Sequence, residues 1–148
     1  MRVVLQRVSH ASCTVDGKIT GKIDNGYMAL VGFKKGEGKE VFEKMLKKII
    51  GLRVFSDSEG KMNLDIKKTN GSILLISQFT LYADARHGNR PGFTDAMEFD
   101  KANEYYLDFV ELLRSNGIKV ETGIFGADMK IELLNDGPVT IILDSDNL

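Results

Sequence analysis

The chain has 148 residues, which favours one domain around a single core. It is 43% hydrophobic and 28% charged, which points to a soluble globular chain and excludes a disordered one. Its 20 basic and 21 acidic residues leave a formal net charge of −1, so no global attraction to nucleic acid is predicted and only a local basic patch could serve one.

The opening "MRVVLQRVSHASCTV" carries Arg2 and Arg7 and no long apolar run, so neither a signal peptide nor a membrane span is expected. Cys13 is the only cysteine, which excludes an intrachain disulfide and a thiolate metal cluster and makes a reducing, cytoplasmic setting the default. The first third reads as strands. "RVVLQRVSHASCTV" is valine-rich and partly alternating, and Asp16-Gly17 is a type I′ hairpin signal. "KITGKI" is a short strand, Asn25-Gly26 marks a second turn, and "YMALVGF" is a third strand. Val41, Phe42, Met45, Leu46, Ile49 and Ile50 then repeat at helical spacing, with Gly51 closing the helix. "LRVF" reads as a strand, "SDSEGK" as a turn and "GSILLISQFTL" as a buried strand with polar interruptions. "DARHGNRPGFTDA" is a loop by its glycine and proline content. A second helix is predicted from Phe99 to Arg114, its apolar stripe formed by Phe99, Ala102, Tyr106, Phe109, Val110 and Leu113. "IKVET", "MKIELLN" and "VTIILDS" return to strands. The order predicts an α+β domain over residues 1–148, mostly antiparallel and barrel-like, rather than a βαβ array.

The common catalytic constellations are missing. A Ser–His–Asp triad needs a placed histidine, and His10 and His87 read as structural or solvated. No spacing builds a metal site, so neither a metal nor another cofactor is expected. Cys13 has no neighbour in sequence that would activate it. Two stretches remain. If "ISQFTL" is all strand, Ile76, Gln78 and Thr80 share one face and Ser77, Phe79 and Leu81 the other. Gln78 and Thr80 then serve either cross-strand hydrogen bonds or a common ligand. In "NDGPVTIILDS", Gly137-Pro138 either ends a turn between two strands or offers bare backbone to a ligand.

"SQFTL" at 77–81 and "NDGPVT" at 135–140 resemble the paired signature motifs of the D-aminoacyl-tRNA deacylases. "LQRV" at 5–8, "RVFSDSEGKMN" at 53–63, "RPGF" at 90–93 and "FGADM" at 125–129 stand in that family's order and spacing, so the resemblance covers essentially the whole chain. It implies hydrolysis of the ester between a D-amino acid, or mischarged glycine, and the 3′-terminal adenosine of tRNA. It also implies a homodimer in which a cis Gly137-Pro138 from one subunit, followed by Val139 and Thr140, enters the active site of the other and reads chirality. Ser77, Gln78, Phe79 and Thr80 form the opposing wall, and Phe125 and Met129 help line the pocket. Around Arg90 the chain departs from many relatives, having Asn89 and Gly92 where they carry a second basic residue and a serine.

Residues and resemblance agree that no base or nucleophile stands out, since glutamine is no base and threonine needs one beside it. Catalysis by positioning and by backbone N–H groups near Phe79 and Thr80, helped by the ribose 2′-hydroxyl, is expected; a covalent Thr80 is the runner-up. Two other classes stay open: a non-catalytic nucleic-acid-binding dimer, and an esterase of small D-amino-acid esters that needs no RNA.

Overall fold

Strand β1, Arg2–Val15, is the spine of the molecule, which is a computed structural model describing residues 1–148. Asp16 and Gly17 both take positive φ (49° and 78°), the geometry a type I′ hairpin demands, and return the chain as β2, Lys18–Ile23. The predicted turn at Asn25-Gly26 is instead a bend. Ala11 lies opposite Ile23 and Val8 opposite Gly26 in one unbroken register, so β3, Gly26–Gly32, continues along the same edge of β1. The other edge of β1 pairs with β8, Lys130–Asp144.

The mostly antiparallel, barrel-like α+β class holds, but with two parallel pairings. β6, Ser72–Ser77, runs parallel to β3 on one side and to β7, Lys119–Thr122, on the other. Each of these connections passes through a helix: α1, Phe42–Gly51, with the small hairpin β4 (Phe55–Ser56) and β5 (Met62–Leu64); then α2, Phe99–Ser115. The continuous run Ile73–Ile76 explains the difference. All four residues are buried, which is how a strand reads when both of its faces are covered. Ile73 and Leu75 join the helices' core with Met45, Ile49, Phe109 and Leu113, while Leu74 and Ile76 join a second cluster with Val8, Cys13 and Met28 inside the sheet. The Thr20 hydroxyl donates to the Thr122 carbonyl (3.1 Å), bringing β2 against β7 and nearly closing the barrel.

Of the predicted first-helix stripe, Phe42, Met45, Leu46 and Ile49 are buried and Val41 and Ile50 half-buried at its ends; the α2 stripe is buried except at its first residue. Phe99 is 61% exposed, because the helix begins where the core ends. The two strands predicted around Asn135–Pro138 are one strand with a bulge. Thr140 faces Gln6 and Asn135 faces Val8, so the four residues between them oppose Arg7 alone and are pushed out of the ladder. No helix is long and apolar enough to cross a membrane.

Candidate active site

The cleft begins where β6 runs out. The sequence pattern predicts that this strand continues through Leu81, but it stops at Ser77. The Gln78 N–H donates to the Val31 carbonyl (2.7 Å) as a last rung, and the Gln78 carbonyl crosses over Gly32, where a Cβ would sit 2.8 Å from it. Phe79–Tyr82 then form a 3₁₀ turn. Gln78 and Thr80 therefore do not share a strand face. They meet through the turn, the Gln78 amide donating to the Thr80 hydroxyl. Placing the polar side chains at the strand's exit avoids the ~1–3 kcal/mol that each would cost if buried without a partner.

The turn is pinned from below. Tyr82 is buried, the Arg2 guanidinium lies 4.5 Å above its ring, and Arg2 donates to the Leu81 carbonyl (2.9 Å) and to the Asp144 carboxylate (2.8 Å). Burial pushes the Asp144 carboxyl up, but Arg2 and the Asp146 N–H outweigh it and hold it below its ordinary value. Burial, reinforced by the nearby Glu37, Asp144 and Asp146 carboxylates and opposed by Arg2, raises the Tyr82 phenol.

The cleft has a volume of about 500 Å³ and brings together Ser77, Gln78, Phe79, Phe125 and Met129. Phe125 is wedged between Tyr106 and Phe99, with ring centroids at 5.9 and 4.9 Å. Leu30, Ile76 and Ile131 add an apolar floor, and Asp128 stands at the edge. Thr80 lies beside the cleft on the exposed turn. Neither histidine nor Cys13 lines it: His10 and His87 are exposed, and Cys13 is buried in the barrel. The first N–H groups of a helical turn have no partner within it, and no side chain caps this one, so Phe79 and Thr80 present backbone donors beside Gln78. Such a site can bind a flat apolar group and stabilise a developing oxyanion.

The second predicted stretch lies elsewhere in the subunit. Residues 136–140 do not line the cleft, and Gly137, Pro138 and Thr140 are exposed on the β8 bulge. The Gly137–Pro138 peptide is cis, and Gly137 has φ +129°, where a Cβ would meet Val139 and Arg7 at 2.9–3.1 Å. Val139 turns back onto the core. Arg7 holds the bulge. Its buried guanidinium donates to the carbonyls of Asp136 (2.9 Å) and Val54 (2.6 Å), with the Asp136 carboxylate 3.6 Å away.

Residues 4–144 match the family described as D-Tyr-tRNA(Tyr) deacylase. The chain belongs to that family. It is 51% identical to a D-aminoacyl-tRNA deacylase of Dictyoglomus turgidum, over all of this chain and 95% of that protein. It is 52% identical to one from Thermotoga petrophila, over all of this chain and 99% of that protein. A solved structure named c-Myc DNA unwinding element binding protein superposes with a TM-score of 0.92 at 39% identity, covering 97% of this chain and 98% of that one. A probable eukaryotic D-amino acid tRNA deacylase superposes at 0.82 over 96% of this chain and 97% of its own; at 16% identity it speaks to the fold alone.

For this member of the deacylase family, sequence reasoning left out three residues that the geometry brings in. Arg7 was legible only as part of "LQRV", with nothing to say that it reaches a bulge 129 residues away. Asp128 sits inside "FGADM" at the edge of the cleft, its exposed carboxylate 3.1 Å from the Lys130 ammonium. Phe99 belongs by spacing to the apolar stripe of the helix, and the only signal that sets it apart is its place at the first helical position.

Proposed function

We propose that the protein is a homodimeric D-aminoacyl-tRNA deacylase that also clears glycine from mischarged tRNA. The observation that carries this reading is the division of the signature residues: a cleft holding Ser77, Gln78, Phe79, Phe125 and Met129, and an exposed Gly137-Pro138 outside it. In the proposed assembly the bulge of one subunit, stiffened by Val139 and followed by Thr140, enters the cleft of the other. The terminal adenosine lies against Phe125 and Met129. Gln78, Phe79 and Thr80 hold the ester, and the N–H groups of Phe79 and Thr80 stabilise the oxyanion while water attacks with help from the ribose 2′-hydroxyl. The ring of Pro138 leaves no flexible side chain to rotate away, so an L side chain clashes where a D side chain or glycine's hydrogen fits. A penalty of ~3–4 kcal/mol gives roughly 200- to 1,000-fold discrimination. The reaction belongs with the rest of translation, in the cytoplasm.

Three substrates test this. D-Tyr-tRNA and Gly-tRNA are expected to be hydrolysed, L-Tyr-tRNA at least about 100-fold more slowly. Equal rates on D- and L-Tyr-tRNA overturn the assignment of Gly137-Pro138. Turnover of D-Tyr ethyl ester as efficient as that of D-Tyr-tRNA makes the protein an RNA-independent esterase. One observation favours a second reading: the neighbour at 39% identity is named for binding DNA. Nucleic-acid binding without D-Tyr-tRNA hydrolysis would establish a non-catalytic binding dimer. Thr80→Ala is expected to keep activity to within about tenfold, since its role is positioning. An acyl group trapped on Thr80 would install the covalent route instead.

A further inference from the structure

The loop between the 3₁₀ turn and α2 is a small hairpin. Asp84 and Gly92 exchange two backbone hydrogen bonds, both 2.8 Å, and the Asp84 carboxylate takes both a fork from Arg86 (2.8 and 2.8 Å) and the Arg86 N–H (3.0 Å). The exposed tip, "ARHGNRPG", carries Arg86, Arg90 and a histidine and no acid in a chain of net charge −1. Arg86 is taken up by Asp84, whereas Arg90 forms no ion pair and stands just before Pro91. Directly after the hairpin, Phe93 packs edge-on against Phe79, with centroids at 5.0 Å and planes at 63°. Phe79 is 52% and Phe93 37% exposed, so the pair presents aromatic surface to solvent at the cleft's mouth. Phe93 is not part of the cleft lining. Stacking faces beside a cation that tracks the backbone are how single-stranded nucleic acid is held.

We infer that residues 84–93 form a nucleotide-binding arm, in which Phe93 with Phe79 stacks against the base that precedes the terminal adenosine and Arg90 holds the phosphate joining the two. This rests on the deacylase reading, in which the adenosine fills the cleft and its predecessor meets the rim.

The test compares kcat/KM on D-Tyr-tRNA with that on 3′-O-(D-tyrosyl)adenosine, which lacks the preceding nucleotide. The readout is the ratio of the two. Arg90→Ala is expected to lower it about tenfold, with Arg90→Lys recovering most of the loss. It should also flatten the slope of log kcat/KM on the tRNA against log salt by about 0.7, the share of one phosphate contact. Phe93→Leu is expected to lower the ratio about fivefold through lost stacking. A wild type that cleaves both substrates, with a ratio and salt slope unmoved by these variants, overturns the arm and leaves the deacylase reading standing. A wild type inert on both overturns the deacylase reading and the arm with it.

Discussion

The cleft and the bulge are built from opposite circumstances of one sheet. The cleft forms at the end of β6, a strand paired on both sides, where the first polar side chains emerge from a fully buried run. It is concave, mostly apolar and pinned by Arg2 and Tyr82. The bulge forms in the middle of β8, which pairs with β1 on one side only. It is convex and exposed, flanked by Leu134 and Ile142 at 52% and 71% exposure, and pinned by Arg7. One region offers a hollow with backbone donors and no strong base; the other offers rigid backbone with nothing in its own subunit to act on. An unpaired strand edge bearing apolar side chains is the part of a sheet that another chain can cover. Under the proposed function the two regions are halves of one site.

The sharpest way to break that comparison is to damage the halves separately. Gly137→Ala forces a side chain into a φ of +129° and against Val139 and Arg7, so the bulge must shift. A displacement of this kind is expected to cost about 100-fold or more in turnover of D-Tyr-tRNA. Gln78→Ala damages the cleft and leaves the bulge alone. If the halves come from different subunits, mixing and reassociating the two inactive variants in equal amounts restores about a quarter of wild-type activity, because half of the dimers are mixed and each has one intact site. No recovery after verified subunit exchange would mean that cleft and bulge do not work in trans.

Arg7→Ala probes the bulge's support. The variant leaves the Asp136 and Val54 carbonyls without their charged donor and opens a space in the buried layer. A loss of roughly 2–3 kcal/mol in unfolding free energy is expected. Denaturant unfolding measures it, and a midpoint unchanged from wild type would show that the bulge holds without Arg7. The corresponding cleft support, Arg2, is 40% exposed on its side chain, so Arg2→Ala should cost less.

Both helices, the Asp16-Gly17 hairpin and the long β1 were legible because each rests on local rules: apolar spacing, a turn dipeptide, alternation. The two failures at the candidate site share one cause. Ser77–Leu81 looks like strand from composition, yet the strand ends where β3 reaches Gly32 and Gln78 can cross it, a tertiary event with no local mark. Asn135–Pro138 looks like a turn between two strands. It becomes a bulge because β1 continues past it and keeps pairing on both sides. The parallel pairing of β6 was readable in principle from "ILLI", whose unbroken apolar run signals burial on both faces. Arg7 was beyond reach, since its partners lie 47 and 129 residues along the chain.

The smallest expected effect concerns the hairpin that flanks the cleft, and it separates that region from the bulge by pH. The Arg86 side chain, then the Arg86 N–H, hold the Asp84 carboxyl at about 2, against an ordinary value of 3.8; the opposing effect of burial is weaker. A carboxyl whose folded value lies below its unfolded one contributes fully above the ordinary carboxylate range, and the contribution fades only as pH falls toward the folded value. The stem of the hairpin is therefore expected to stay intact throughout neutral and mildly acidic pH, and any change in turnover there must come from the substrate or the cleft. Carboxyl-carbon NMR should give Asp84 a midpoint near 2 that rises toward 3.8 in Arg86→Ala. An Asp84 that titrates with the ordinary carboxylates in the wild type would show that the stem opens in solution, and the flank of the cleft would then be as exposed and unpaired as the bulge.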